Sequence, residues 1–241
     1  MSTEHPPHDD EGPRDFVHYA FFRLAPAWRE GPETVRRTGR HELAAVLGRG
    51  AGSVRLRTYS LVGLKAGVDL LLWSIAERVE AIQELHAAVL GTRLGRHLVP
   101  THAYLGMGRR SEYLGSAAHG TQEGGSGRRS SVGRPYLFVY PFTKKREWYG
   151  LPFEERRRIM GEHFRIGREF PNVVIHTGYS FGIDDTEFIL SFEADSPAEF
   201  LDLVQKLRTT EASRYTALET PIFTCVAAPP ARMLELADGA A

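Results

Sequence analysis

The sequence predicts an α+β protein of two consecutive β-α-β-β-α-β halves. Three observations carry this reading. Apolar residues switch between a two-residue and a 3.6-residue period in the same order twice along the chain. A Gly/Ser-rich stretch with almost no apolar residues, 115–133, separates two portions of similar size. The interval from Thr58 to Gly63 recurs from Thr177 to Gly182, and each glycine is followed by an aliphatic residue and then an apolar strand.

Residues 1–15 are rich in Pro, Asp, Glu and His and read as a disordered tail. The first half spans 16–114. Phe16–Leu24 is short, aromatic and strand-like, and 30–47 reads as a helix. Val54–Val62 alternates as a strand, Gly63–Gly67 turns, and Asp69–Ala76 is an apolar strand. In Val79–Val99, Ile82, Leu85, Ala88, Val89 and Leu90 keep a helical period, and Thr101–Gly108 closes the half as a strand.

The 115–133 linker leads to the second half, 134–228. Pro135–Phe142 is a strand, and Phe153–Phe170 is a charged amphipathic helix with Pro152 at its start. Val173–Phe181 and Glu187–Phe192 form a hairpin around Gly182–Asp185. Ser196 is an N-cap for a helix over Pro197–Leu207, and Thr220–Val226 is the last strand. Residues 229–241 read as a second tail. Two such units are ferredoxin-like halves, whose antiparallel sheets can pack or close on each other and can oligomerise through exposed faces or edges.

Composition narrows the function classes. Hydrophobic residues at 42% and charged residues at 25% suit a chain with a real core and exclude a collagen or a coiled coil. Lys+Arg and Asp+Glu are both 30, so charge offers no case for nucleic acid or an acidic membrane surface. No apolar run is long enough to span a bilayer, and the N-terminus lacks the apolar core of a signal peptide. A single cysteine, Cys225, excludes an internal disulfide and a CxxC zinc site. The expected location is the cytoplasm.

No phosphate-cradling loop, nucleophile elbow, HExxH or GxGxxG is present, so chemistry must come from a constellation. Tyr140-Pro141-Phe142-Thr143-Lys144-Lys145-Arg146 ends a strand in a basic cluster. It reads either as a solvated strand end or as a phenol beside an anion-binding lysine. Ile159, His163, Ile166 and Phe170 share one helix face. His163 is then either a hydrogen-bonded core histidine or a lone axial ligand to haem iron, which needs one neutral imidazole facing an apolar slot. HFRIGREF offers no second ligand, which disfavours zinc.

Several segments together resemble the chlorite dismutase superfamily, and more closely its coproheme decarboxylase branch. They are Tyr140-Pro-Phe-x-Lys144, Trp148-Tyr149-x-Leu151-Pro152, Glu155-Arg156-Arg157, His163-x-x-x-Gly167-Arg168 and Gly182-Ile183-Asp184-Asp185-x-Glu187-Phe188. The resemblance runs over 135–226, with only the fold pattern matching in the first half. It implies a dimeric α+β barrel type of fold, in which two ferredoxin-like halves form a central antiparallel barrel. It also implies a homo-oligomeric ring, often a pentamer, with one haem in each C-terminal half.

By the same resemblance His163 matches the proximal axial ligand of haem iron. Tyr140 matches a tyrosine that becomes a radical and abstracts hydrogen from a propionate. Lys144 matches a lysine near the propionates or the proximal network, Arg208 an arginine that anchors a propionate, and Trp148 a tryptophan near the haem pocket. Glu211 matches a residue that orients the proximal imidazole. The implied activity is peroxide-driven oxidative decarboxylation of Fe-coproporphyrin III (coproheme) to haem b, with hydrogen peroxide as co-substrate. The alternative is a haem peroxidase-like or haem-binding member without decarboxylase turnover. Counting back from Asp185 puts Ile175 where chlorite-degrading members carry a distal arginine. An isoleucine cannot hydrogen-bond an oxychlorine species, so chlorite dismutation is not expected. His119, in the linker, is the one candidate for a distal acid/base there. His176 points to the other strand face.

Overall fold

The computed structural model describes residues 14–49, 52–109, 111–113 and 131–240. The first half contains β1 (Phe16–Leu24), α1 (Pro26–Arg29), α2 (Glu33–Arg49), β2 (Arg55–Lys65), β3 (Val68–Ala76), α3 (Val79–Gly91) and β4 (Leu98–Gly108). The second contains β5 (Tyr136–Lys144), α4 (Arg146–Gly150), α5 (Phe153–Gly167), β6 (Val173–Tyr179), β7 (Phe188–Ala194), α6 (Pro197–Leu207), β8 (Thr216–Leu218) and β9 (Phe223–Ala227). A final helix, α7 (Pro230–Asp238), follows.

The strand order is β4-β1-β3-β2 in the first half and β6-β7-β5-β9 in the second. Each is the ferredoxin-like arrangement, so the predicted repeat is present in three dimensions. All the pairings are antiparallel. Two seams close eight strands into a barrel. β2 meets β9 at Tyr59↔Ala227, and β4 meets β6 at Met107↔Tyr179 and Gly108↔Gly178. Gly106 lies beside the second seam. A Cβ there would stand 2.7 Å from Ser180 Oγ and 3.1 Å from the Tyr179 carbonyl, so the approach needs glycine.

Strand alternation divides the core into layers. Val17, Tyr19 and Phe21 point into the barrel with Trp73, Leu137, Val139, Phe223 and Cys225. Their neighbours Ala20, Phe22 and Leu24 point outward and are covered by Leu43 and Leu47 of α2, Leu85 of α3 and Met233 of α7. In the second half Phe138 and Tyr140 point outward beneath α5 and α6.

Three sequence expectations change. The helix expected over 79–99 ends at Gly91, because Thr92 turns the chain: its hydroxyl donates to the Val89 carbonyl at 2.8 Å and accepts the Gly95 N–H at 3.0 Å. The helix expected over 153–170 ends at Gly167. The tail expected at 229–241 instead contains α7. Pro230 opens it, and Gly239 closes it in the left-handed region at φ 71°. Met233, Leu234 and Ala237 bury its inner face, and the buried Asp238 accepts from Arg36 and Arg40 on α2. Ser196 caps α6 as expected, accepting the Ala198 N–H at 3.2 Å.

Candidate functional site

A cavity of about 380 Å³ lies in the second half between the outer face of β5, β6 and β7 and the helices α5 and α6. That volume suits a small-molecule or cofactor site. Tyr140, Lys144, Trp148, His163, Ile175 and Arg208 all line it. Four elements (β5, α4, α5 and β6) and the residue that caps the end of α6, Arg208, deliver these six residues. On β5, Leu137 and Val139 enter the barrel, so Tyr140 and Phe142 face the helices. On β6, Ile175, Thr177 and Tyr179 face the cavity. His176, between them, is turned inward and bonds Glu193 Oε2 through Nε2 at 2.8 Å, as alternation requires.

His163 reaches the cavity from α5. Burial, helped by the Lys144 ammonium, lowers its pKa from 6.5 to about 4, so the ring is neutral at physiological pH. Its Nδ1 is buried without a hydrogen-bond partner among the described residues. A neutral imidazole whose Nδ1 lacks a partner among the described residues, at the wall of a largely apolar space, fits the donor that an iron porphyrin needs. No cluster of three or more potential metal-ligating side chains occurs among the described residues.

Tyr140 is buried and stacks on Phe192 with ring centroids 5.8 Å apart. Burial pushes its phenol well above the ordinary value, opposed by the nearby Arg208 guanidinium. Lys144 Nζ sits 4.4 Å from the Trp148 ring centroid and 5.3 Å from that of Phe142, and it donates to the Ala212 carbonyl at 3.4 Å. Burial lowers its pKa to about 8, against the pull of Glu187. Arg208 is paired with Glu219, which also lines the cavity.

One expected role is corrected. Glu211 accepts from Arg158 Nη2 at 2.8 Å on the protein surface and does not line the cavity. It therefore does not orient His163. His119 lies outside the described residues.

The structure also brings in residues that the sequence did not single out. Tyr149 donates its hydroxyl to Glu187 Oε2 at 2.6 Å, and the same oxygen accepts the Lys144 N–H at 2.8 Å. Tyr113, just after β4, reaches across from the first half and accepts from Arg156 Nη1 at 3.2 Å. Tyr149 and Glu187 stood inside recognisable segments, but only the fold brings the phenol against the carboxylate. Nothing local announces Tyr113.

The chlorite dismutase family model matches residues 36–228. A coproheme decarboxylase from Mycolicibacterium smegmatis is 37% identical over 170 residues, covering 69% of this chain and 70% of that protein. Among solved structures, a variant of the chlorite dismutase from Candidatus Nitrospira defluvii superposes with a TM-score of 0.84 at 25% identity, over 93% of this chain and 95% of that one. A haem-binding protein from Thermus thermophilus shares the fold, with a TM-score of 0.81 at 22% identity over 97% of this chain and 100% of that one. By sequence and by fold, this chain belongs to the chlorite dismutase family.

Proposed function

We propose that this chain is a haem-family oxidoreductase that binds coproheme in its C-terminal cavity and decarboxylates it, with hydrogen peroxide, to haem b. The observation that carries the reading is one cavity that brings together, among the described residues, a single neutral imidazole, a buried phenol and two of its cations: His163, Tyr140, Lys144 and Arg208. The 37% identical coproheme decarboxylase supports the choice of substrate.

When bound, the porphyrin iron supplies the two-electron reaction with peroxide. For each propionate the balance is one propionate, one peroxide and one proton giving a vinyl group, carbon dioxide and two waters. His163 holds the iron, and its low pKa keeps the nitrogen lone pair available. Lys144 and Arg208 hold propionates by charge-assisted bonds, with Arg208 exchanging its Glu219 partner for a substrate carboxylate. The electron and proton of the Tyr140 O–H pass to the peroxide oxidant, whose oxygens leave as water. The resulting phenoxyl takes a hydrogen atom from the propionate β-carbon, and the carbon radical gives its remaining electron to the oxidant as carbon dioxide leaves. The burial of Tyr140 and its stacking on Phe192 fix the oxygen and keep the phenol protonated until its oxidation. Trp148 and Phe142 form apolar wall around Lys144.

Ile175 puts no hydrogen-bond donor of its own into the cavity, which argues against chlorite chemistry. It favours one second reading, a porphyrin-binding peroxidase-like protein of other substrate. A ring of identical subunits, often five, is a further proposal that rests on the family resemblance, and a cytoplasmic location is one that rests on the sequence composition. No helix among the described residues is long and apolar enough to cross a membrane. The test is to load purified protein with ferric coproheme, add peroxide and follow porphyrin masses. Stepwise loss of two carboxyl groups supports decarboxylation. Unchanged masses with oxidation of an added phenol support the peroxidase reading.

A further inference from the structure

The cavity holds a second phenol whose surroundings differ from those of Tyr140. Tyr149, on α4, lines the same cavity, is partly exposed and packs edge-on against the exposed Phe181, with ring centroids 6.1 Å apart. Its hydroxyl donates to Glu187 Oε2 at 2.6 Å, a short charge-assisted bond. Glu187 is itself buried and is anchored by the Lys144 N–H at 2.8 Å.

A phenol loses an electron easily only if its proton has somewhere to go at the same moment. Leaving the proton on would create a phenol cation, and burial disfavours charge. A carboxylate oxygen at 2.6 Å is a fixed proton acceptor. Other aromatic residues around the cavity are less well served. The Trp148 ring carries the Lys144 ammonium 4.4 Å from its centroid, which opposes a positive charge on the indole. The Tyr113 oxygen receives a guanidinium N–H from Arg156 at 3.2 Å, so a cationic donor faces it. Tyr140, packed against Phe192 and near the Arg208 guanidinium, gives its proton in the proposed reaction to the bound oxidant and not to a carboxylate of the protein.

We propose that Tyr149 and Glu187 form a second, proton-coupled redox site of this cavity, which passes oxidising equivalents to small phenolic reductants at the cavity mouth. In the step, the Tyr149 O–H bond breaks. One electron goes to the oxidant, which is peroxide acting through the bound porphyrin, and the proton goes to Glu187 Oε2. The products are a neutral phenoxyl radical and a protonated Glu187. A phenolic reductant at the mouth then donates an electron and a proton, which restores Tyr149 and the Glu187 carboxylate. The oxidant rests on the function proposed above; the pair does not.

The test therefore begins on the porphyrin-free protein. A photo-excited ruthenium tris-bipyridine complex with a sacrificial quencher supplies the one-electron oxidant, and phenoxyl formation is followed by transient absorption and by electron paramagnetic resonance. The expected result is a fast phenoxyl phase with a solvent deuterium isotope effect. That phase is absent in Tyr149→Phe. In Glu187→Gln, which keeps an oxygen to accept both hydrogen bonds but removes the base, it slows about tenfold, or about 1.4 kcal/mol of barrier. A fast phase of equal size in Tyr149→Phe overturns the proposal, and so does an unchanged rate in Glu187→Gln. The coproheme mass assay separates the two claims. Loss of carboxyl groups without the fast phase sinks the redox pair alone. The fast phase without loss of carboxyl groups sinks the decarboxylase reading alone.

Discussion

His163 and His18 are both held near pKa 4 by burial, His163 with the Lys144 charge added and His18 with that of His86. The ordinary value is 6.5, so as pH falls the unfolded chain binds these protons first. The stability linked to the neutral rings is fully present above 6.5 and is lost as pH falls from there towards 4. Urea midpoints should therefore drop between about pH 7.5 and about pH 5, and His18→Phe should flatten that dependence. Equal slopes in the two proteins would count against this origin. At the cavity, His163→Ala should weaken porphyrin retention at least about tenfold and change the ferric absorption spectrum. An unchanged axial-ligand signature would remove His163 from the iron. Ile175→Arg adds a donor to the cavity wall and should raise any residual chlorite-to-oxygen activity, whereas the native chain should show none of practical size. Sustained oxygen release from chlorite by the native chain would show that an arginine at this position is not needed. These side chains were legible one at a time, because strand and helix periods fix their faces. Glu211 was not, because one residue of register on a short turn sends a side chain to the surface, where Arg158 takes it.

Elements were legible where their period was strong and their ends were marked. Pro197–Leu207 emerged with its expected bounds because Ser196 and Pro197 start it. The end of α3 was obscured by Leu94 and Leu98, which continue an apolar pattern past Gly91 but belong to a turn closed by the Thr92 hydroxyl. α7 was missed although proline and glycine flank it, because a short segment at the end of a chain reads as a tail until a partner surface is known. That surface is α2 and the outer face of the first sheet, where Met233 is fully buried. Met233→Ala should cost about 2–5 kcal/mol. Leu201→Ala, on the exposed face of α6, should change stability by about 0.5 kcal/mol or less. Equal effects at the two positions in chemical unfolding would mean that α7 does not hold the first half together.

The repeat makes the whole molecule asymmetric in a useful way. Both halves fold one sheet under two helices, and the two sheets close into one barrel. In the first half the space outside the sheet is packed by Leu43, Leu85 and Met233. In the second half Phe138, Phe200 and Leu203 pack part of the equivalent space and the cavity takes the rest. The two-half plan was visible in the sequence, and the family resemblance placed the haem in the C-terminal half, but the filling of the first half was not visible, since it depends on where α7 docks. The proposed function requires the second half to decarboxylate coproheme through Tyr140. The most direct measurement compares porphyrin masses after peroxide is added to coproheme-loaded wild type and Tyr140→Phe. The wild type should lose two carboxyl groups in sequence. The variant should bind coproheme and convert it about a hundredfold more slowly, corresponding to about 2.7 kcal/mol of barrier. Conversion by Tyr140→Phe at the wild-type rate, or no conversion by the wild type, would contradict the account.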